Sequence, residues 1–262
     1  LGGGEGAVAV QESAFARVMR EKVLRCGYQV YPPFSMKDVA TGEMRGIYPD
    51  IFAELGKQAG LKIEWAEEVG TDDMFTSLAA GRFDALCTPL TATPARALQA
   101  AFTRPVLFVP FRVYVRANDR RFDGDLGKLN QADKSFMVKD GDLTEILAKA
   151  DFPAAQRKGL GGLSDAAQMY VSVATGKADA LIGEPVFASI YMRNNPGKLK
   201  AVEGVAPLRV IPGMVAAPLG DVAMVRFLDT ALQSLQDSGV VGQVVGRYVS
   251  GSDVVLLPRV GY

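Results

Sequence analysis

The amino-acid sequence predicts an α/β chain of two similar lobes, each a mostly parallel sheet flanked by helices. Two observations carry that expectation. Between Val23 and Ala80 strand-like and helix-like patterns alternate, which is the grammar of a parallel sheet covered by helices. In addition, Leu78-Ala79-Ala80-Gly81-Arg82-Phe83-Asp84-Ala85-Leu86-Cys87 recurs as Val173-Ala174-Thr175-Gly176-Lys177-Ala178-Asp179-Ala180-Leu181-Ile182. Each copy reads as a helix end stopped by Gly, one basic residue, then Asp-Ala-Leu entering a buried strand. The copies lie too far apart for a solenoid, whose repeats span roughly 20–50 residues. Two readings of the repeat stay open: junction chemistry common to any α/β chain, or two related lobes.

The elements follow in order. Ser13 suits the N-cap of a short helix whose apolar positions Phe15, Val18 and Met19 recur at helical spacing. Val23–Tyr28 reads as a strand, broken by Pro32-Pro33, and Thr41-Gly42 as a turn. Asp50 is placed as the next N-cap, with Ile51, Phe52, Leu55 and Ala59 on one face and Gly60 as the stop. Leu61–Trp65 follows as a strand, with Trp65 read as core, and Met74–Ala80 as a helix. Late in the chain Asp221 caps a helix carrying Val225, Leu228, Leu232 and Leu235 on one face and ending at Gly239. A last short helix runs through Val244 and Tyr248, and periodicity leaves open which lobe these two helices cover. Glu67-Glu68 and Arg120-Arg121 read as solvated loop charges.

Composition removes whole classes of chemistry. The 262 residues include no histidine, so there is no Ser-His-Asp or Cys-His nucleophile pair and no imidazole base or metal ligand. Two cysteines cannot build a four-thiolate cage, and no metal or other cofactor is expected. Charge is even, 29 basic against 29 acidic residues, which gives no reason to expect a nucleic-acid partner. No stretch approaches the roughly 18 apolar residues of a membrane span. The Gly-rich start, Leu1–Ala7, lacks a basic-then-apolar export pattern, so the chain is either cytosolic or has lost its signal.

In open α/β sheets ligands bind beyond the carboxyl ends of the strands. For the two repeat copies those ends are Thr88-Pro89-Leu90-Thr91 and Gly183-Glu184-Pro185. After the first, Thr93 reads as an N-cap and Pro94 as the first helical residue, with Arg96 in the first turn. A helix N-terminus beside a guanidinium is a good carboxylate receptor, although a solvated Arg96 is equally compatible with the spacing. Glu184 either receives an ammonium or caps neighbouring backbone.

Together these residues resemble the amino-acid-type extracellular solute-binding proteins of bacterial ABC importers. The matching words, in order, are Leu24-Arg25-Cys26-Gly27 with Tyr31-Pro32-Pro33-Phe34, Gly46-Ile47-Tyr48-Pro49-Asp50-Ile51, Gly81-Arg82-Phe83-Asp84-Ala85, Thr91-Ala92-Thr93-Pro94-Ala95-Arg96, Phe102-Thr103-Arg104-Pro105 and Gly176-Lys177-Ala178-Asp179-Ala180. The resemblance implies a two-lobe periplasmic-binding-protein clamp of type II with two hinge crossings, expected near Phe111–Val113 and Val210–Gly213. It assigns residues 1–111 with 212–262 to the first lobe and 112–211 to the second. In such proteins the counterpart of Arg96 grips a ligand carboxylate, helped by the hydroxyl at Thr91, with Thr88 on the same loop. The aromatic at Tyr31 stacks over the ligand, and an acid of the second lobe, here Glu184, takes the α-amine.

Three departures stand out. The amine-binding acid is usually Asp. The second-lobe loop, usually Gly then Thr or Ser, reads Gly141-Asp142-Leu143, and Asp142 either caps the helix through Ile146 or faces the ligand. Pro89 replaces a usual Gly or Ser. Cys26 and Cys87 are either two buried thiols or, in the extracytoplasmic setting the resemblance implies, a disulfide.

The expected function is therefore the substrate-binding component of an ABC importer, a monomer working in the periplasm after signal removal. Its partners are a small carboxylate-bearing solute and a membrane permease. One alternative is an enzyme of the cyclohexadienyl-dehydratase kind on the same scaffold, with Glu184 as general acid. Another is the ligand-sensing domain of a signalling protein, which needs an adjoining membrane span.

Overall fold

A computed structural model describes residues 12–161, 167–249 and 257; the Gly-rich Leu1–Ala7 lies outside them. The chain divides into two compact units, one running to Leu107 and resuming over Pro212–Tyr248 with Leu257, the other Phe108–Ile211 with Val249. The first division falls earlier in the sequence than the expected Phe111.

In chain order the elements are α1 (Ala14–Glu21), β1 (Val23–Tyr28), β2 (Met36–Lys37), β3 (Met44–Arg45), α2 (Ile47–Ala59), β4 (Lys62–Glu68), α3 (Met74–Ala79), β5 (Ala85–Leu90), α4 (Pro94–Ala97), β6 (Ala100–Phe102) and β7 (Leu107–Arg116). The second unit continues with β8 (Ser135–Lys139), α5 (Leu143–Asp151), β9 (Gln156–Leu160), α6 (Ala167–Ala174), β10 (Ala180–Gly183), α7 (Pro185–Asn194) and β11 (Leu199–Ala201). After these come β12 (Arg209–Pro218), α8 (Val222–Asp237) and α9 (Val240–Tyr248).

In the first unit β1 lies between β4 and β5, parallel to both, while β12 runs antiparallel to β5 and carries β6 on its other side. In the second, β8 lies between β9 and β10, parallel to both, and β7 runs antiparallel to β10 and β11. Each unit thus places its first parallel strand in the centre, its second at the edge and its third against an antiparallel strand. That shared order favours two related lobes as the meaning of the sequence repeat. The two repeat aspartates also do the same work. Asp84 N–H donates to the Arg25 carbonyl at 2.8 Å while its carboxylate accepts Arg25 N–H at 2.7 Å. Asp179 N–H donates to the Ser135 carbonyl at 3.0 Å, and its carboxylate accepts Ser135 N–H at 3.0 Å. Each clips the third parallel strand to the first. The glycines before them, Gly81 and Gly176, both take left-handed backbone, φ 71° and 80°.

Several local expectations hold. Ser13 accepts the Ala16 N–H at 3.2 Å and Asp221 accepts the Met224 N–H at 3.0 Å, so both cap their helices. Helices α8 and α9 pack on α2 in the first unit, which periodicity left undecided. Other expectations need correction. The N-cap of α2 is Gly46, not Asp50. Gly46 sits at φ 124°, where a Cβ would lie 2.7 Å from the Pro33 carbonyl oxygen, so only glycine lets the helix begin against that segment. Asp50 falls in the first turn, where a negative charge is still favourable. Trp65 is half-buried rather than core, because β4 is an edge strand; it packs edge-on against Tyr28 and Phe52. Glu67 and Glu68 belong to β4, with Glu67 2.8 Å from Arg82. Arg121 is no free loop charge either, since it pairs with Asp119 and Asp179 and lies over the Phe122 ring at 4.7 Å.

Cys26 on β1 and Cys87 on β5 form a disulfide, with Cα atoms 5.5 Å apart and both residues fully buried. The bond closes a loop of sequence separation 61, and such closure limits the unfolded ensemble by about 2–4 kcal/mol. The Cys26→Ser, Cys87→Ser double variant is expected to lose that much stability in a urea titration. A thiol assay on unfolded, unreduced wild-type protein should find no reactive group; two would overturn the pairing.

Candidate functional site

The candidate residues are held in two sets, one on each unit. Because β4, β1 and β5 are parallel, their carboxyl ends share one side of the first unit, Tyr28 lying opposite Glu68. The loops leaving β1 and β5 at that side carry Tyr31, Thr91 and Arg96. Thr88 is inside β5 and only 1 % exposed. Pro89 follows in the strand where the β5–β12 register is broken between Met214 and Ala216. An interrupted ladder is where a residue without an N–H is tolerated.

Arg96 is fixed from three directions. Its backbone N–H donates to Thr93 Oγ1 at 3.2 Å, its guanidinium donates to the Thr91 carbonyl at 2.9 Å, and the same group lies over the Phe75 ring at 5.8 Å. Among the described residues no carboxylate forms an ion pair with it. One donor of the planar fork is therefore spent on orientation, and the rest suit an incoming carboxylate. The helix behind it differs from expectation: α4 has only four residues, so its dipole adds little.

Tyr31 is placed by a tight loop around a cis Pro32–Pro33 bond. Its N–H donates to the Ser35 carbonyl at 2.8 Å and its carbonyl accepts Ser35 N–H at 3.0 Å. The ring stacks on Phe34, centroids 5.4 Å apart and planes within 14°.

On the second unit Asp142 is the N-cap of α5, accepting the Thr144 N–H at 2.9 Å. Gly141 before it takes φ 74°, and its N–H donates to Glu145 at 2.8 Å. Capping thus employs one carboxylate oxygen of Asp142. Glu184 occupies the N-cap position of α7, yet its side chain makes no capping bond there. Pro185, the first helical residue, brings no N–H to cap. Glu184 therefore does not cap α7 through its side chain.

The surroundings of Glu184 include aromatics that sequence reasoning missed. Tyr170 on α6 stacks with Tyr191 at 5.5 Å and meets Tyr114 at 6.2 Å. Burial pushes the phenols of Tyr114 and Tyr170 well above the usual range, and the charge of Glu184 adds to both shifts. Both therefore stay protonated at neutral pH. The one sequence signal was Gly183 next to Glu184: a Cβ there would lie 2.5 Å from the Tyr170 hydroxyl. Among the described residues no group of acidic or thiol side chains is arranged to hold a metal ion, and no helix is long and apolar enough to cross a membrane.

Residues 24–251 match the family model of bacterial extracellular solute-binding proteins, family 3. A probable amino-acid ABC transporter-binding protein of Haemophilus influenzae is 25% identical over 234 residues, 87% of this chain and 85% of the relative. A probable histidine-binding protein of Neisseria gonorrhoeae is 23% identical, covering 83% of this chain and 79% of its own. Among solved structures, a putative ABC-transporter binding component of Wolinella succinogenes, complexed with lysine, superposes with a TM-score of 0.74 at 24% identity, over 88% of this chain and 97% of that one. An ancestral amino-acid-binding protein, described as a precursor of cyclohexadienyl dehydratase, gives 0.73 at 24% identity over 91% and 100% of the two chains.

Proposed function

The chain belongs to the bacterial extracellular solute-binding proteins of family 3, and on that footing we propose that it is the amino-acid-binding component of an ABC importer. The observation that carries the ligand class is Arg96, a guanidinium oriented by Thr91, Thr93 and Phe75 and not neutralised by any carboxylate among the described residues. A carboxylate ligand is what such a group recognises bidentately. Glu184 of the second unit is the acid that the family resemblance assigns to the ligand's α-amine. An α-amino acid supplies the carboxylate that Arg96 takes, with Tyr31 and Thr91 adding stacking and a hydroxyl. With Asp142 and Glu184 as the acids of the second unit, neutral or cationic side chains are favoured over acidic ones.

The protein works as a monomer outside the cytoplasmic membrane, in the periplasm, and delivers its ligand to a membrane permease. It performs no catalysis and binds no nucleic acid: besides Glu184 no second catalytic element is recognisable, and the charge is balanced.

Calorimetry against the twenty L-amino acids tests the reading. At least one neutral or basic amino acid should bind, and L-glutamate and L-aspartate should bind least. Glu184→Gln keeps the shape and removes the charge, so the best binder should weaken about ten- to a hundredfold. Absence of binding by any amino acid, together with consumption of prephenate or arogenate, would move the assignment to the enzyme.

A further inference from the structure

We propose that Tyr248, at the end of α9, is a positioning residue that holds the loop carrying Tyr31. Its hydroxyl donates to Asp50 Oδ2 at 2.9 Å and accepts the Gly46 N–H at 3.2 Å, across about two hundred residues of sequence. Gly46 and Asp50 form the first turn of α2, and the Tyr31 loop hangs on that turn. Ile47 N–H donates to the Pro33 carbonyl at 3.0 Å and Tyr48 N–H to the Phe34 carbonyl at 2.9 Å. Pro33 and Phe34 lie between the two bridged residues Tyr31 and Ser35, and the Phe34 ring stacks directly on Tyr31. A continuous line of contacts therefore runs from the Tyr248 hydroxyl through Gly46 and Phe34 to the Tyr31 ring.

At Gly46 a Cβ would lie 2.7 and 2.9 Å from the carbonyl oxygens of Pro33 and Phe34, so only glycine fits where the loop meets the start of the helix. Burial, then the bond to Asp50, pushes the Tyr248 phenol upward, which keeps it a donor at neutral pH. Arg247 backs the same carboxylate at 3.3 Å. The hydroxyl is not needed to seat α9, whose buried contacts come from Val241, Val244 and Val245 while Tyr248 is half-buried.

The inference rests on the reading of Tyr31 as a ligand contact, and the experiment separates the two. Amide hydrogen exchange is measured on ligand-free wild type and Tyr248→Phe. Affinity is measured for the same twenty L-amino acids, read by the fluorescence of Trp65, which packs on Phe52 of α2 at 6.2 Å. The expected result is exchange faster by about three- to tenfold at Tyr31, Ser35, Ile47 and Tyr48, with the amides of β1 unchanged. Affinity for the best amino acid should fall by a similar factor, mostly through faster release. Uniformly faster exchange across the first unit would show a merely structural tyrosine and overturn the proposal, as would unchanged exchange in the loop. Tyr31→Ala is the control. If it leaves affinity intact, the ligand-contact reading of Tyr31 fails, while the exchange data still decide whether Tyr248 braces the loop.

Discussion

Arg96→Ala is expected to weaken binding of the best amino acid about a hundred- to a thousandfold, while unfolding of the ligand-free protein stays unchanged. The binding effect follows from removing the charge that faces the ligand carboxylate, since truncating one partner of a hydrogen-bonded charge pair costs about 2–5 kcal/mol. The stability effect is small because the side chain contributes only one bond to a carbonyl and one contact over the Phe75 ring. Arg96→Lys sharpens the test. It keeps the charge but not the planar fork, so it should recover only part of the affinity. Calorimetry on the three proteins reads both effects, and an Arg96→Ala protein that binds as tightly as wild type sinks the assignment.

Asp84→Ala should be the most destabilising single change in the first unit, costing about 3–5 kcal/mol, the usual loss when a buried charge pair is broken. Asp84 is 1 % exposed and holds the guanidinium of Arg17 at 2.8 Å, that of Arg25 at 3.0 Å and the Arg25 N–H at 2.7 Å. Alanine would leave the Arg25 strand amide without its acceptor and remove from Arg17 and Arg25 the one carboxylate they share. Its repeat counterpart Asp179 has the same backbone role, but its side chain is 20 % exposed and its arginine partners Arg121 and Arg116 are 50 % and 28 % exposed. Asp179→Ala should therefore cost less, about 1–3 kcal/mol. Denaturant midpoints of the two variants decide the matter. Equal losses would mean that burial does not set the difference.

The contrast between these two aspartates shows how far the sequence could be read. Their shared position, after a glycine stop and before an apolar strand, is a pattern over ten residues, and it led to two lobes of like topology. Helix caps at Ser13 and Asp221 were readable for the same reason, since a cap involves neighbours two or three residues away. The order of the motif words around Cys26, Arg96 and Lys177 sufficed for the family. Errors arose where a local rule met a distant contact. Asp50 had the chemistry of a cap, but the pressure of Pro33 and Phe34 on Gly46 set where α2 begins. Trp65 had the hydropathy of core, but strand order put β4 at an edge.

By itself, then, the sequence determined the α/β class, the repeated unit, most helix ends and the loops that bear the candidate site, because each rests on periodicity or short-range hydrogen bonding. Only the tertiary structure decided which polar groups meet. Arg17 with Asp84, Arg121 with Asp179 and Tyr248 with Asp50 are pairs remote in sequence. Which of them come together depends on strand order and helix docking. Those are settled by burial of whole faces, and no local pattern of residues encodes them.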